Sequence, residues 1–222
     1  GVDIGVFEVG MGGRLDATNV IQPLVSVITA ISMDHTKVLG DTIEAIAREK
    51  AGIIKPNTPV VSSPQRTGAM GVIEETSARL ESPLTVVGRD WQWRPLDADL
   101  HGQRFDVYRA GHQTTPEYPS LQMPLLGEHQ LENATAAIAA LETLRDEGLP
   151  LTREQIRAGI ASVAWPGRLE VLGERPLVVV DGAHNPHSCS RLIEAVKAYL
   201  PHARTWLVFG AGTTHNPHEL LE

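Results

Sequence analysis

Short apolar runs alternate with segments of helical period along most of this chain, and that alternation constrains the fold more than any other feature. Residues 2–9 (VDIGVFEV) are an apolar run that ends at a carboxylate, and a glycine-rich stretch follows from Gly10 to Asn19. Residues 24–31 (LVSVITAI) are a second run, rich in β-branched side chains, ending at Ser-Met-Asp-His. Segment 41–52 has helical period, with Asp41 and Glu44 spaced as a capping-box-like start. Residues 59–62 predict a strand, 67–81 a helix and 84–88 a strand. Strands alternating with helices predict an α/β unit with a largely parallel sheet.

From about residue 89 to 125 the pattern changes. Short runs broken by Gly, Pro and Asp carry Trp91, Trp93, Phe105 and Tyr108, which predicts a small β-rich subdomain. A helix is expected over about 129–147, with Leu131, Ala134, Ile138 and Leu141 on one face and Gly148 at its exit. Another is expected over 152–162. Trp165-Pro166-Gly167-Arg168 interrupts the pattern and reads as a linker. A strand at 177–181, a helix from about Ser188 to Leu200 and a strand at 205–209 would open a second α/β domain. The expected division is therefore 1–164 for the first domain, 165–168 for the linker and 169–222 for the start of the second. The chain reads as an internal piece, cut at both ends.

Composition narrows the partners. A net charge of -8 argues against a nucleic-acid or anionic-membrane surface. One cysteine, Cys189, allows no disulfide within the chain and fits a reducing compartment. No uninterrupted apolar run is long enough to span a bilayer. A cytoplasmic monomer is expected.

Four groups of residues suggest chemistry. Glu8, Asp16 and His35 form the first. If the runs before Glu8 and His35 are parallel strands, both residues lie at one sheet edge, where a carboxylate and an imidazole can share a divalent cation. Position alone leaves open an exposed Glu and a loop His. Lys50 is the second, four residues after Ile46 and seven after Ile43 on the apolar stripe of segment 41–52. A lysine there must be paired, neutral or reaching water along its stem. The third, Asp181-Gly-Ala-His184-Asn-Pro186, follows a strand and precedes a helix, a context that suits phosphate or ribose contacts and equally an ordinary turn. The fourth, Gly127-Glu-His-Gln-Leu-Glu-Asn133-Ala, opens the long helix. Cys189 and the four tryptophans read more simply as packing residues. The chain contains no G-x-x-x-x-G-K-[ST] phosphate-binding loop.

In this order the blocks resemble one family. Glu8-Val-Gly-Met-Gly-Gly-Arg-Leu-Asp-Ala-Thr-Asn-Val20 is similar to the Ω-loop signature of folylpolyglutamate synthases. Ile31-Ser-Met-Asp-His35, Leu39-Gly-Asp-Thr and Glu49-Lys-Ala-Gly-Ile-Ile-Lys55 are similar to their second signature. His129-Gln-Leu-Glu-Asn133-Ala, Pro166-Gly-Arg168 and Asp181-Gly-Ala-His-Asn-Pro186 are similar to downstream blocks. The wider group is the Mur ligase superfamily. The resemblance implies a P-loop-type ATPase domain followed by a Rossmann-like glutamate-ligase domain. It implies an ATP-dependent ligase that joins L-glutamate to folate or dihydropteroate through an acyl phosphate.

The resemblance also implies roles. Glu8 and His35 would bind magnesium, and Lys50 would be carbamylated and help hold a second magnesium. Asn133 and Arg168 would contact ATP, Asp181 its ribose, and His184 would lie near the transferred phosphate. Asp16 would sit in the loop that shapes the substrate site. The family's P-loop and its pteridine-binding region do not occur in this sequence, so the chain alone is expected to be inactive. Phe209-Gly-Ala-Gly-Thr-Thr-His-Asn-Pro217 stands where the family commonly shows Gly then Asp-Lys-Asp, and no site is assigned there. Alternatives are another Mur-superfamily amino-acid ligase, or a non-catalytic binding module.

Overall fold

The computed structural model describes residues 2–112, 114–200 and 204–210. The chain divides into two compact units, Gly1–Gln92 with Thr135–Leu151, and Trp93–Ala134 with Thr152–Glu222. This division does not follow the one expected from sequence. The β-rich segment and the first turns of the helix after it group with the C-terminal residues, while the rest of that helix groups with the N-terminal ones.

The first unit is built on a parallel sheet of β1 (Ser26–Ile28), β2 (Val60–Ser62) and β3 (Leu84–Val86), in that order. Helices α1 (Thr36–Leu39) and α2 (Ile43–Ala51) connect β1 to β2, and α3 (Thr67–Arg79) connects β2 to β3. Parallel neighbours need such crossovers. The core joins Ile28 and Val60 of the sheet to Ile46 and Ala47 of α2 and Ala69, Val72 and Ile73 of α3. Burying a side chain such as Ile46 contributes about 2 kcal/mol, and it is only 1% exposed. Thr42, not Asp41, caps α2, its side chain accepting from the Ala45 amide. Both residues have an acceptor at the right spacing. Thr42 has the extended backbone that places its oxygen over the first turn.

Residues 2–9 form no strand, which corrects the sequence expectation. Val2, Ile4, Val6 and Phe7 are exposed, and no described strand pairs with them. An apolar run becomes a strand only when a neighbour completes its backbone hydrogen bonds.

In the second unit, β4 (Trp91–Asp99), β5 (Gly102–Arg109) and β6 (Tyr118–Met123) form one sheet, with β5 and β6 antiparallel. Helix α4 (Glu128–Asp146) contributes its first turns here and the rest to the first unit. Its exit carries paired bonds from Gly148 N to Arg145 O and Leu149 N to Leu144 O, with Gly148 left-handed at φ 96°. Helix α5 (Arg153–Ala161) starts at a capping box between Thr152 and Gln155. An antiparallel pair, β7 (Glu170–Glu174) and β8 (Leu177–Val180), precedes α6 (Pro186–Tyr199). β7 is not among the strands expected from sequence. The strand expected at 205–209 does not form: those residues are exposed and unpaired among the described residues. Leu126, Leu169, Ala195 and Leu200 form the core of this region. No helix of the described residues is long and apolar enough to cross a membrane.

Candidate functional site

The glycine-rich stretch folds around its own aspartate. Asp16 Oδ2 accepts from the amides of Gly10 (3.0 Å) and Met11 (3.2 Å). Asp16 Oδ1 accepts from the Thr18 amide (2.9 Å) and the Thr18 hydroxyl (2.6 Å). The carboxylate thus caps a single 3-10 turn, Ala17–Val20, and gathers the amides of the turn before it. The Thr18 hydroxyl, then the amides of Thr18 and Met11, lower the Asp16 pKa to about 2.

That loop is fastened to the C-terminal end of α2. The Arg14 amide donates to Glu49 O at 2.8 Å. The Arg14 guanidinium donates to the Glu49 carboxylate through Nε (3.2 Å to each oxygen) and Nη2 (3.0 Å). Asn19 Nδ2 donates to Arg14 O (3.0 Å) and Gly52 O (3.1 Å), and Lys55 Nζ donates to Asn19 O (2.7 Å). A Cβ on Gly52 would lie 2.4 Å from Arg14 Cβ, and one on Gly13 would lie 2.9 Å from Glu49 O. Two glycines let the backbones approach this closely.

Lys50 is half-buried on α2 beside buried Ile46, Ala47 and Ala51. His35 begins α1 with a left-handed backbone (φ 50°), and its amide donates to Asp34 Oδ1 at 2.7 Å. Its ring is exposed, with Nε2 3.9 Å from Asp34 Oδ1. A non-glycine residue in this conformation costs about 1 kcal/mol or more. Glu8 lies exposed in the segment 2–9, not at a strand end. The expectation that a parallel strand delivers Glu8 to the sheet edge beside His35 is therefore corrected.

No group of three or more His, Cys, Asp or Glu side chains among the described residues could hold a metal ion. The exposed Glu8 carboxylate and His35 imidazole nonetheless have suitable donors. Magnesium is ordinarily bound through one or two protein ligands plus water and substrate phosphates, not by a protein cage. By donor type alone, a carboxylate and an imidazole suit that kind of site.

In the second unit the downstream blocks meet. Asp181 Oδ2 accepts from the Leu169 amide (2.8 Å), and Oδ1 from the Ala183 amide (2.7 Å). The Gly182 amide donates to Gly167 O at 2.9 Å. The Gly167 amide donates to Glu170 Oε2 at 2.7 Å. Arg168 is exposed, its guanidinium beside Gly182. His184 Nδ1 lies 3.0 Å from Gly182 O, which suits the tautomer with its proton on Nδ1. Asn185 caps α6 in a capping box with Ser188, and Pro186 occupies the first turn. The loop beside β8 is therefore a pre-formed helix entry. Asn133 is exposed on α4, with Nδ2 donating to Gln130 Oε1 at 3.2 Å.

The sequence reading left His129 without a role. It is half-buried, and burial first, then the Arg191 charge, lower its pKa, while Asp181 raises and Arg168 lowers it. The imidazole is thus neutral at pH 7 and electrostatically linked to two expected site residues. Arg14, Glu49 and Asn19 were also overlooked as a group, although all three lie within the signature blocks. The departure at 211–217 lies outside the described residues.

The family description for the Mur ligase middle domain matches residues 1–141, and that for the Mur ligase glutamate ligase domain matches 167–220. The chain is 38% identical over 211 residues to the dihydrofolate synthase/folylpolyglutamate synthase of Bacillus subtilis, covering 95% of this chain and 48% of that protein. It is 39% identical over 202 residues to the folylpolyglutamate synthase of Lacticaseibacillus casei, covering 88% of this chain and 45% of that protein. The chain thus spans about half the length of these relatives. The solved apo form of L. casei FPGS superposes with a TM-score of 0.81 at 40% identity, over 88% of this chain and 47% of that one. An FPGS-AMPPCP-folate complex superposes at 0.80, over 86% and 46%. With a middle-domain match over residues 1–141 and a glutamate-ligase match following it, this chain belongs to the Mur ligase family.

Proposed function

We propose that the protein to which this chain belongs is an ATP-dependent ligase that joins L-glutamate to the carboxylate of folate or dihydropteroate. The supporting observation is a 40% identical superposition, at a TM-score of 0.80, on an FPGS-AMPPCP-folate complex. Residues 1–164 are assigned to the ATPase domain, 165–168 to the linker and 169–222 to the glutamate-ligase domain.

A carboxylate is a poor acylating agent because oxide is a poor leaving group. In the proposed reaction a carboxylate oxygen of the folate attacks the γ-phosphorus of ATP, and ADP departs. The free amine of glutamate then attacks the acyl carbon. Phosphate leaves with the C–O electron pair, and the surplus amine proton passes to solvent. Two magnesium ions would offset phosphate charge during transfer. Glu8 and His35 are the proposed ligands of one. Lys50, as a carbamate, is proposed to reach the second. Asn133 and Arg168 are assigned to the nucleotide, Asp181 to its ribose, and His184 to the neighbourhood of the transferred phosphate. Asp16 shapes the loop at the substrate site. The reading takes the protein to be a cytoplasmic monomer.

The test is a substrate panel on the full-length protein with ATP and magnesium. Glutamate-dependent ADP release is expected with dihydropteroate or a reduced folate. Turnover only with a UDP-linked sugar peptide would move the protein to another branch of the Mur ligases. The absence of turnover with every acceptor would overturn the ligase reading.

A further inference from the structure

The last turn of α2 is held from outside the helix. The final carbonyls of a helix have no partner within it, and the turn that carries them frays readily. Here Glu49 O accepts from the Arg14 amide as well as from Gly52 N, at 2.8 and 3.3 Å. Lys50 O accepts from Ile53 N at 3.3 Å and lies against Gly13, 3.1 Å from where a Cβ would stand. The Arg14 guanidinium grips the Glu49 side chain through two nitrogens. Asn19 spans the seam by donating to Arg14 O and Gly52 O.

Such a clasp is an inefficient way to gain stability. The side chains of Arg14 and Glu49 are 55% and 26% exposed, and ion pairs of that exposure contribute little to stability. Its geometry is specific nonetheless. A fork of two parallel N–H groups fixes the direction of the carboxylate, as a lysine could not. Glu49 immediately precedes Lys50, so fixing the first limits how the helix end can swing the second. The same Arg14 belongs to the loop organised by Asp16. Loop and helix end are therefore held in one register.

We propose that Arg14 and Glu49 are positioning residues that hold Lys50, and the loop folded around Asp16, in a single mutual geometry. The proposal rests on the role given to Lys50 under Proposed function. A displacement of about 1 Å at a reacting centre can lower turnover a hundredfold, whereas losing an exposed ion pair leaves the melt nearly unchanged.

The experiment is a set of steady-state and thermal-melt measurements on the full-length ligase. Arg14→Ala and Glu49→Ala are each expected to lower kcat on the order of tenfold or more, with little change in the KM for ATP and a melt within a few degrees of wild type. Arg14→Lys should recover only part of the loss. The Arg14→Ala/Glu49→Ala pair should be no slower than the worse single variant, because both remove one device. In a Lys50→Ala background, Arg14→Ala should cost nothing further. Glu49→Gln, which keeps the side-chain volume, replaces Glu49→Ala if the latter fails to fold. A slow Lys50→Ala beside a wild-type kcat in Arg14→Ala and Glu49→Gln overturns the clasp and spares the role of Lys50. Near-wild-type turnover of Lys50→Ala overturns that role, and the positioning proposal falls with it. Additive losses, or losses matched by a collapsing melt, also overturn positioning in favour of plain structural support.

Discussion

Asp181 holds Leu169 in a left-handed backbone conformation. Its Oδ2 accepts the Leu169 amide at 2.8 Å, and Leu169 has a φ of 45° while its side chain is buried. A branched residue rarely adopts this conformation, which costs about 1–2 kcal/mol and must be compensated by its surroundings. Leu169 directly follows Arg168, so the carboxylate also sets the direction in which the chain leaves the arginine. Asp181 is thus a structural anchor before any contact with a nucleotide.

Asp181→Ala is accordingly expected to destabilise the fold by about 1–3 kcal/mol, since two amides lose a charged acceptor. Asp181→Asn retains one oxygen acceptor and should cost less. Urea denaturation of the three proteins checks the order. If Asp181→Ala unfolds at the wild-type midpoint, the two hydrogen bonds contribute nothing to the fold.

The Asp16 carboxyl gives a pH dependence with a definite sign. Its pKa is lowered from 3.8 to about 2, chiefly by the Thr18 hydroxyl and then by the Thr18 and Met11 amides. A folded pKa below the unfolded one means the contribution is complete above about pH 4. It is then lost as pH falls through about 2. Carboxyl-carbon NMR titration should show a midpoint near that value, and Asp16→Asn should abolish the step near pH 2 in the amide chemical shifts of Gly10 and Met11, whose N–H groups donate to the carboxylate. A midpoint near 3.8 would contradict the hydrogen-bonded loop.

Local periodicity made most helices legible, and pairing explains most of what it could not reveal. The stripe of Ile43, Ile46 and Ala47 located α2 because its pattern is complete within one segment. The run at 2–9 and that at 205–209 have strand-like composition, yet a strand depends on a neighbour that the run itself does not encode. β7 was overlooked for the converse reason. Its Glu-Val-Leu-Gly-Glu sequence is unremarkable until β8 pairs with it. The signature blocks single out candidate residues from sequence alone. The fastening of Arg14 to Glu49 joins positions thirty-five apart and could be read only from coordinates.

Gly52 tests that fastening by a different route. Its φ of -63° is one that any residue adopts, and Gly→Ala at such a position ordinarily stabilises by about 0.4–1 kcal/mol through the unfolded chain. Here the added Cβ would stand 2.4 Å from Arg14 Cβ and 2.6 Å from Arg14 Cα. Backbone must shift, and overpacking of this kind costs about 1–3 kcal/mol. Gly52→Ala should therefore destabilise, and Arg14→Ala, which keeps the Cα and Cβ that cause the clash, should not relieve it. A raised melting temperature for Gly52→Ala would mean that the loop does not approach α2 so closely.

Lys50 carries the most demanding prediction. It is half-buried on α2 with Ala47 and Ala51 beside it, so trimming it to alanine opens no large cavity and should move the melt by only a few degrees. Carbon dioxide adds to the neutral amine, not to the ammonium, and converts a cationic side chain into an anionic one. In the proposed role, an ammonium at the same place would repel magnesium, whereas a carbamate would attract it. Lys50→Ala in the full-length enzyme is thus expected to lower kcat about a hundredfold or more, in line with the loss of a preorganised electrostatic group. Acetate, which restores a carboxylate but not its tether, should recover part of the rate. Steady-state kinetics with and without acetate, beside a thermal melt, separates the possibilities. Turnover near wild type removes Lys50 from the mechanism, and a collapse of the melt that matches the lost turnover assigns it to packing instead.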